Sequence, residues 1–122
     1  MKYRFLLLFL VIFSCSLEGT DPEEFVCTEE FVYGLQVTVR DITTNDPITN
    51  NITVIAKDGT YEEQLENMEG TIFYVGAGER PGIYIIEVTS PDYEDYTSET
   101  ITVFSDPCHV VTQRVEIMLQ PN

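Results

Sequence analysis

Gly82-Ile83-Tyr84-Ile85-Ile86-Glu87-Val88-Thr89-Ser90-Pro91-Asp92-Tyr93 is the stretch whose reading decides the fold. In an extended chain Tyr84, Ile86 and Val88 share one face, and Ile83 and Ile85 share the other. Apolar side chains on both faces of a short segment mark a strand in the middle of a sheet. Arg80-Pro81-Gly82 opens the segment with a φ-fixing proline and a permissive glycine, and Ser90-Pro91-Asp92 closes it with turn formers. That punctuation predicts a strand rather than a helix.

On either side of this stretch the pattern keeps a period of two. Leu35, Val37 and Val39 alternate with Gln36, Thr38 and Arg40 in a first strand, and Ile52, Val54 and Ala56 alternate with Thr53, Ile55 and Lys57 in a second. Asp58-Gly59 is a two-residue hairpin signal, and Tyr61 to Leu65 forms a polar return strand suited to an edge. Thr71 to Val75 is a fourth strand, followed by a loop from Gly76 to Gly82. Thr100 to Phe104 forms a sixth, and Val111, Val115, Ile117 and Leu119 lie on one face of a seventh. Seven short strands with regularly spaced turn signals predict an all-β, antiparallel Greek-key β-sandwich.

With 122 residues, the chain has room for one small domain behind a targeting segment. Lys2 and Arg4 precede an apolar run from Phe5 to Phe13 and then Ser14-Cys15-Ser16, the order of a cleaved export signal. The run is too short to span a bilayer, which needs about 20 apolar residues. Ile12-Phe13-Ser14-Cys15 resembles a bacterial lipobox, which implies cleavage before Cys15 and lipidation of its thiol. Cleavage after Ser16 is the alternative and would discard Cys15, leaving a soluble secreted or periplasmic protein. The expected layout is a signal peptide over 1–14, an acidic tether over 15–29 around Asp21-Pro22, and a β-domain over 30–122. Both routes leave Cys27 and Cys108 in a compartment where disulfides persist, and even parity favours a bridge between them.

Six Lys and Arg face 21 Asp and Glu, for a net charge of −15 at pH 7, and cleavage would remove Lys2 and Arg4 as well. Such a chain repels nucleic acid and anionic headgroups alike, so attachment to a membrane has to come from a lipid on Cys15.

With the strands placed, the order of residues resembles the carboxypeptidase regulatory-like family, whose domains are transthyretin-like (prealbumin-like) sandwiches of seven strands. The resemblance rests on Val37-Thr38-Val39-Arg40-Asp41, on Thr43 to Ile48 with Pro47 in the place of a turn proline, on Ile52-Thr53-Val54, and on Pro81 to Val88 leading to Tyr93. It implies that the first and last strands lie side by side and parallel. Cys27 and Cys108, each just before one of them, would then be neighbours. It also implies an accessory role beside another envelope protein.

Little in the sequence carries chemistry. His109 is the only histidine. A Ser-His-Asp set built on Ser105 and Asp106 fails because near neighbours on an extended strand point apart, and zinc through Cys27, Cys108 and His109 would need free thiolates. No cofactor motif and no metal-ligand spacing occurs. Asp92, Glu94 and Asp95, or Asp41 with Asn45 and Asp46, offer oxygen ligands without EF-hand spacing. Tyr93 and Tyr96 flank the first of these loops and could stack on a sugar or anchor a partner. Asn51-Ile52-Thr53 is a glycosylation sequon without meaning beside a lipobox. The expectation is a non-catalytic, lipid-anchored protein of the cell envelope, at the outer membrane, with a binding or assembly role. The alternative is a small glycan- or Ca²⁺-binding surface protein that uses Asp92, Tyr93, Glu94, Asp95 and Tyr96.

Overall fold

The computed structural model describes residues 26–122. The signal peptide, Cys15 and the tether up to residue 25 lie outside the described residues, and residues 26–32 have no regular secondary structure. Eight strands follow: β1 (Tyr33–Asp41), β2 (Thr53–Asp58), β3 (Tyr61–Asn67), β4 (Phe73–Gly78), β5 (Gly82–Thr89), β6 (Tyr96–Thr97), β7 (Ile101–Val103) and β8 (Gln113–Leu119). No helix occurs among the described residues.

Hydrogen bonding is continuous in the order β6-β5-β2-β3-β4-β1-β8, with β7 pairing the start of β5 and approaching β8. The result is one large, mostly antiparallel sheet that is nearly barrel-like. The exception to antiparallel pairing is β1 with β8, which run parallel from Leu35 opposite Gln113 to Asp41 opposite Leu119.

Alternation builds the core directly. Leu35, Val37 and Val39 of β1, Val54 and Ala56 of β2, Tyr84, Ile86 and Val88 of β5, and Ile117 and Leu119 of β8 are all fully or almost fully buried. Each of the larger side chains contributes about 1.5–3 kcal/mol by leaving water. Pairing places β5 centrally, between β2 on one edge and β6 on the other. Its outward face is nonetheless uncovered, and Ile83 is 57% exposed.

The structure departs from the sequence reading at four places. There are eight strands rather than seven, because Tyr96 and Thr97 pair with Val88 and Glu87 in a strand too short to leave a periodic signal. β3 is not an edge: it bonds β2 from Asp58 opposite Tyr61 to Val54 opposite Leu65, and its end bonds β4 at Glu66 and Asn67. That second set of bonds joins what would be the two layers of a sandwich. The hairpin turn falls one residue late, on Gly59 and Thr60, and Gly59 at φ 62° in the first central position fits a type II′ turn. Finally, β4 continues through Gly76, Ala77 and Gly78, which pair with Leu35 to Tyr33. The glycines read as loop signals, yet they are required by crowding. A Cβ on Gly76 would collide with Leu65 and Glu63, and one on Gly78 with the Phe31 ring.

Tyr84, the largest fully buried side chain, carries a hydroxyl that must be satisfied. It donates to the Arg80 carbonyl at 2.8 Å and accepts from Arg80 Nη1 at 2.9 Å. The guanidinium also pairs with Asp58 at 3.1 Å and lies 3.6 Å over the Tyr61 ring. Tyr84→Phe should therefore destabilise the fold by about 1–2 kcal/mol, since it leaves a buried acceptor and part of a cation without partners. Urea unfolding would measure this, and an unchanged midpoint would show that the hydroxyl is dispensable.

Candidate functional site

β1 runs between two poles of the sheet, and the candidate residues divide between them. At its start, Cys27 is bridged to Cys108 with Cα atoms 5.3 Å apart, closing a sequence separation of 81 residues. A loop of that size stabilises a fold by about 4 kcal/mol in the chain-entropy model. The parallel pairing of β1 with β8 explains the meeting, because each cysteine precedes one of these strands.

His109 stands beside the bridge. Its Nδ1 is 2.7 Å from Glu79 Oε2 and its Nε2 is 3.1 Å from Thr28 Oγ. Glu79 also accepts the backbone N–H of Val32 at 3.0 Å and of Val110 at 3.2 Å. Asp106 accepts the N–H groups of Cys108 and His109, each at 2.8 Å, and these bonds hold its carboxyl below the usual range. The extended strand expected at Ser105 to His109 is instead a turn closed by the Asp106 N–H on the His109 carbonyl, and the Asp106 carboxylate is engaged by backbone N–H groups. Thr28-His109-Glu79 has the outline of a nucleophile, base and acid. The Thr28 hydroxyl lies within reach of both Glu30 Oε1, at 3.3 Å, and His109 Nε2, at 3.1 Å. The N–H groups of Val32, Cys108, His109 and Val110 are engaged by Glu79 and Asp106. The arrangement is a clasp that fastens the entering chain to the lead-in of β8. Sequence reasoning missed Thr28 and Glu79, which have no local signal, being 81 and 30 residues from His109.

The other pole collects the acidic loops. Asp41 Oδ1 accepts the N–H groups of Thr43 at 2.7 Å and Thr44 at 3.3 Å, and Oδ2 accepts the Tyr93 hydroxyl at 2.8 Å. Bonds from the Thr43 hydroxyl and then from Tyr93 lower the Asp41 pKa to about 2, and the same carboxylate raises that of Tyr93. Asn51, in the left-handed region at φ 62°, donates its amide to Asp92 Oδ2 at 2.8 Å. The C-terminus closes over the loop: Glu94 N–H bonds to Gln120 O, and Asn122 N–H to Asp92 O.

The five loop residues thus have different surroundings. Tyr93 and Tyr96 are half-buried and pack against the core. Asp92, Glu94 and Asp95 are exposed. Asp95 lines a shallow open cleft of about 400 Å³ with Asn51, Thr53, Thr89 and Ser90. Although Asp41, Asp46 and Asp92 to Asp95 come to one pole, no group of three or more His, Cys, Asp or Glu among the described residues is placed to hold a metal ion.

The clasp sets a pH dependence. The Glu79 bond raises the His109 pKa above its ordinary 6.5, against desolvation. Desolvation pushes Glu79 up, but the bonds from His109, Val32 and Val110 outweigh it and leave the carboxyl below 4.5. The His109 contribution is complete below pH 6.5 and is lost as pH rises through its higher folded value. That of Glu79 is present above pH 4.5 and is lost as pH falls through its lower one. The stability advantage of the native chain over His109→Gln should therefore shrink between pH 6 and 9, as read by denaturant midpoints. A constant difference across that range would show that the imidazolium is not what holds the clasp. Among known proteins, no family model matches the chain and no curated protein matches it.

Proposed function

We propose that the protein is a non-catalytic, lipid-anchored envelope protein whose transthyretin-like Greek-key domain binds or assembles with another envelope protein. The observation that carries this reading is the separation of the poles. The chain enters at the Cys27 end of β1, while the acidic loops, the cleft and the C-terminus gather at its Asp41 end. Nine strand residues hold these poles roughly 25 Å apart. A lipid on Cys15 would then present the loop pole away from the bilayer. The use of both domain cysteines and the single histidine as fasteners supports a binding role over a catalytic one. The parallel pairing of β1 with β8 supports the likeness to carboxypeptidase regulatory-like domains.

A second reading is favoured by the cleft. Its amide, hydroxyl and carboxylate lining from Asn51, Thr53, Thr89, Ser90 and Asp95 suits the hydroxyl groups of a glycan.

Two measurements separate these readings. Feeding cells a clickable fatty acid should label the protein, with the label lost in Cys15→Ser, and an unlabelled native protein would contradict the lipid anchor. Cross-linking in intact cells should yield one dominant envelope protein, with Asp95→Asn of little effect. If the adduct is absent while glycan retention is abolished by Asp95→Asn, the glycan reading replaces assembly.

A further inference from the structure

The outward face of β5 and its neighbours is the feature that neither pole explains. Inward residues of β2, β3 and β5 are Val54, Ala56, Leu65, Tyr84, Ile86 and Val88, so the opposite parity faces outward. On that side Ile55 lies opposite Glu87 and Gln64, and Ile85 lies opposite Lys57, which in turn lies opposite Glu62. Ile55 and Ile85 are therefore on one diagonal of a quartet whose other diagonal is the Lys57–Glu87 ion pair. Ile83, two residues along β5 and opposite Thr102, extends the apolar strip to the start of the strand. Ile55 and Ile85 are half-buried and Ile83 is 57% exposed. A strip of isoleucine on a sheet face otherwise built of Thr, Gln, Glu and Lys is the composition of a docking surface centre.

The charge around the strip selects what covers it. Lys57 is the one cation on this face among the described residues, and it is neutralised by Glu87 at 3.0 Å and Glu62 at 3.5 Å. Glu66 on β3 adds a further exposed carboxylate. Elsewhere Arg40 and Arg80 are also ion-paired, to Glu116 and Asp58. The face thus carries three carboxylates, Glu62, Glu66 and Glu87, against one cation, and the Lys57–Glu87 pair lies directly opposite Ile85 and Ile55, on a chain of net charge −15. A second copy of this chain would bring like charge to like charge, whereas a rim of lysine and arginine around apolar anchors is complementary.

We infer that the outer face of β2 and β5, centred on Ile55, Ile83 and Ile85, is the contact surface for a partner protein segment that presents lysine or arginine around aliphatic or aromatic side chains. This rests on the assembly reading and names the chemistry of its partner.

The test places a photo-cross-linking residue at Ile83, at Asp95 on the loop pole, or at Thr38 on the outer face of β1, in the full chain in intact cells. The attached peptide is then sequenced. The expected result is an adduct from position 83 and none from 38, on a peptide with Lys or Arg beside apolar residues. Ile85→Thr, which keeps the β-branched shape suited to the strand, should reduce that adduct about tenfold, with the domain still unfolding in one cooperative thermal transition. An adduct with a second copy of this chain, or with an acidic peptide, would overturn the assigned partner. Adducts only from position 95 would overturn this surface while leaving assembly intact. No adduct from any position would remove both.

Discussion

Two adjacent residues, Glu79 and Arg80, tie the lead-ins of β1 and β8 and the β2–β3 hairpin to the segment between β4 and β5. Glu79 exchanges bonds with Val32, donating its N–H to the Val32 carbonyl and accepting the Val32 N–H on its carboxylate. The same carboxylate reaches His109 and Val110 ahead of β8. Arg80 turns to the other sheet half, where it satisfies Tyr84, pairs with Asp58 and covers Tyr61. To place them so, the backbone takes Ala77 and Glu79 into the left-handed region at φ 54° and 49°. Such conformations cost about 1–3 kcal/mol each and persist where surrounding bonds over-determine them. The disulfide then makes the first of these attachments covalent.

That arrangement gives the domain a direction. One pole is spent on fastening: the disulfide, the imidazole and three carboxylates there serve backbone and neighbouring side chains. The opposite pole is built from loops whose carboxylates are only partly engaged, Asp41 by Tyr93 and the Thr43 turn, Asp92 by Asn51. Between the poles the wall of the sheet carries an apolar strip among three carboxylates and one cation. A protein held at its first pole thus exposes two chemically different surfaces, a polar cleft at the tip and a greasy stripe along the side. The excess of carboxylates gives both surfaces a negative field that attracts cations and repels anions.

Much of the fold was legible in periodicity. The faces of β1, β2, β5 and β8 follow alternation residue by residue, because one side of each strand packs on the core and a slip of one residue would expose Leu35, Val54 or Ile86. The pairing of Cys27 with Cys108 followed from parity and from parallel end strands. What misled was local chemistry with a nonlocal cause. Gly76 and Gly78 look like loop residues and are strand residues kept small by Leu65, Glu63 and Phe31. Tyr93 and Tyr96 pack against the core, and what fixes Tyr93 there, a carboxylate 52 residues away, left no local signal.

By itself the sequence determined the all-β class, the inward and outward faces of the main strands, the acidic surface and the even count of domain cysteines, since all of these depend on composition and on neighbours within a few residues. Tertiary structure alone decided that β3 joins two parts of one sheet, that Thr28 and Glu79 close on His109, and that the outer face of β5 is bare. These depend on contacts between segments tens of residues apart, and on what fails to cover a strand. Apolar residues on both parities state only that both faces prefer to be dry. In β5 the chain dries one of them with its own core and leaves Ile83 in water.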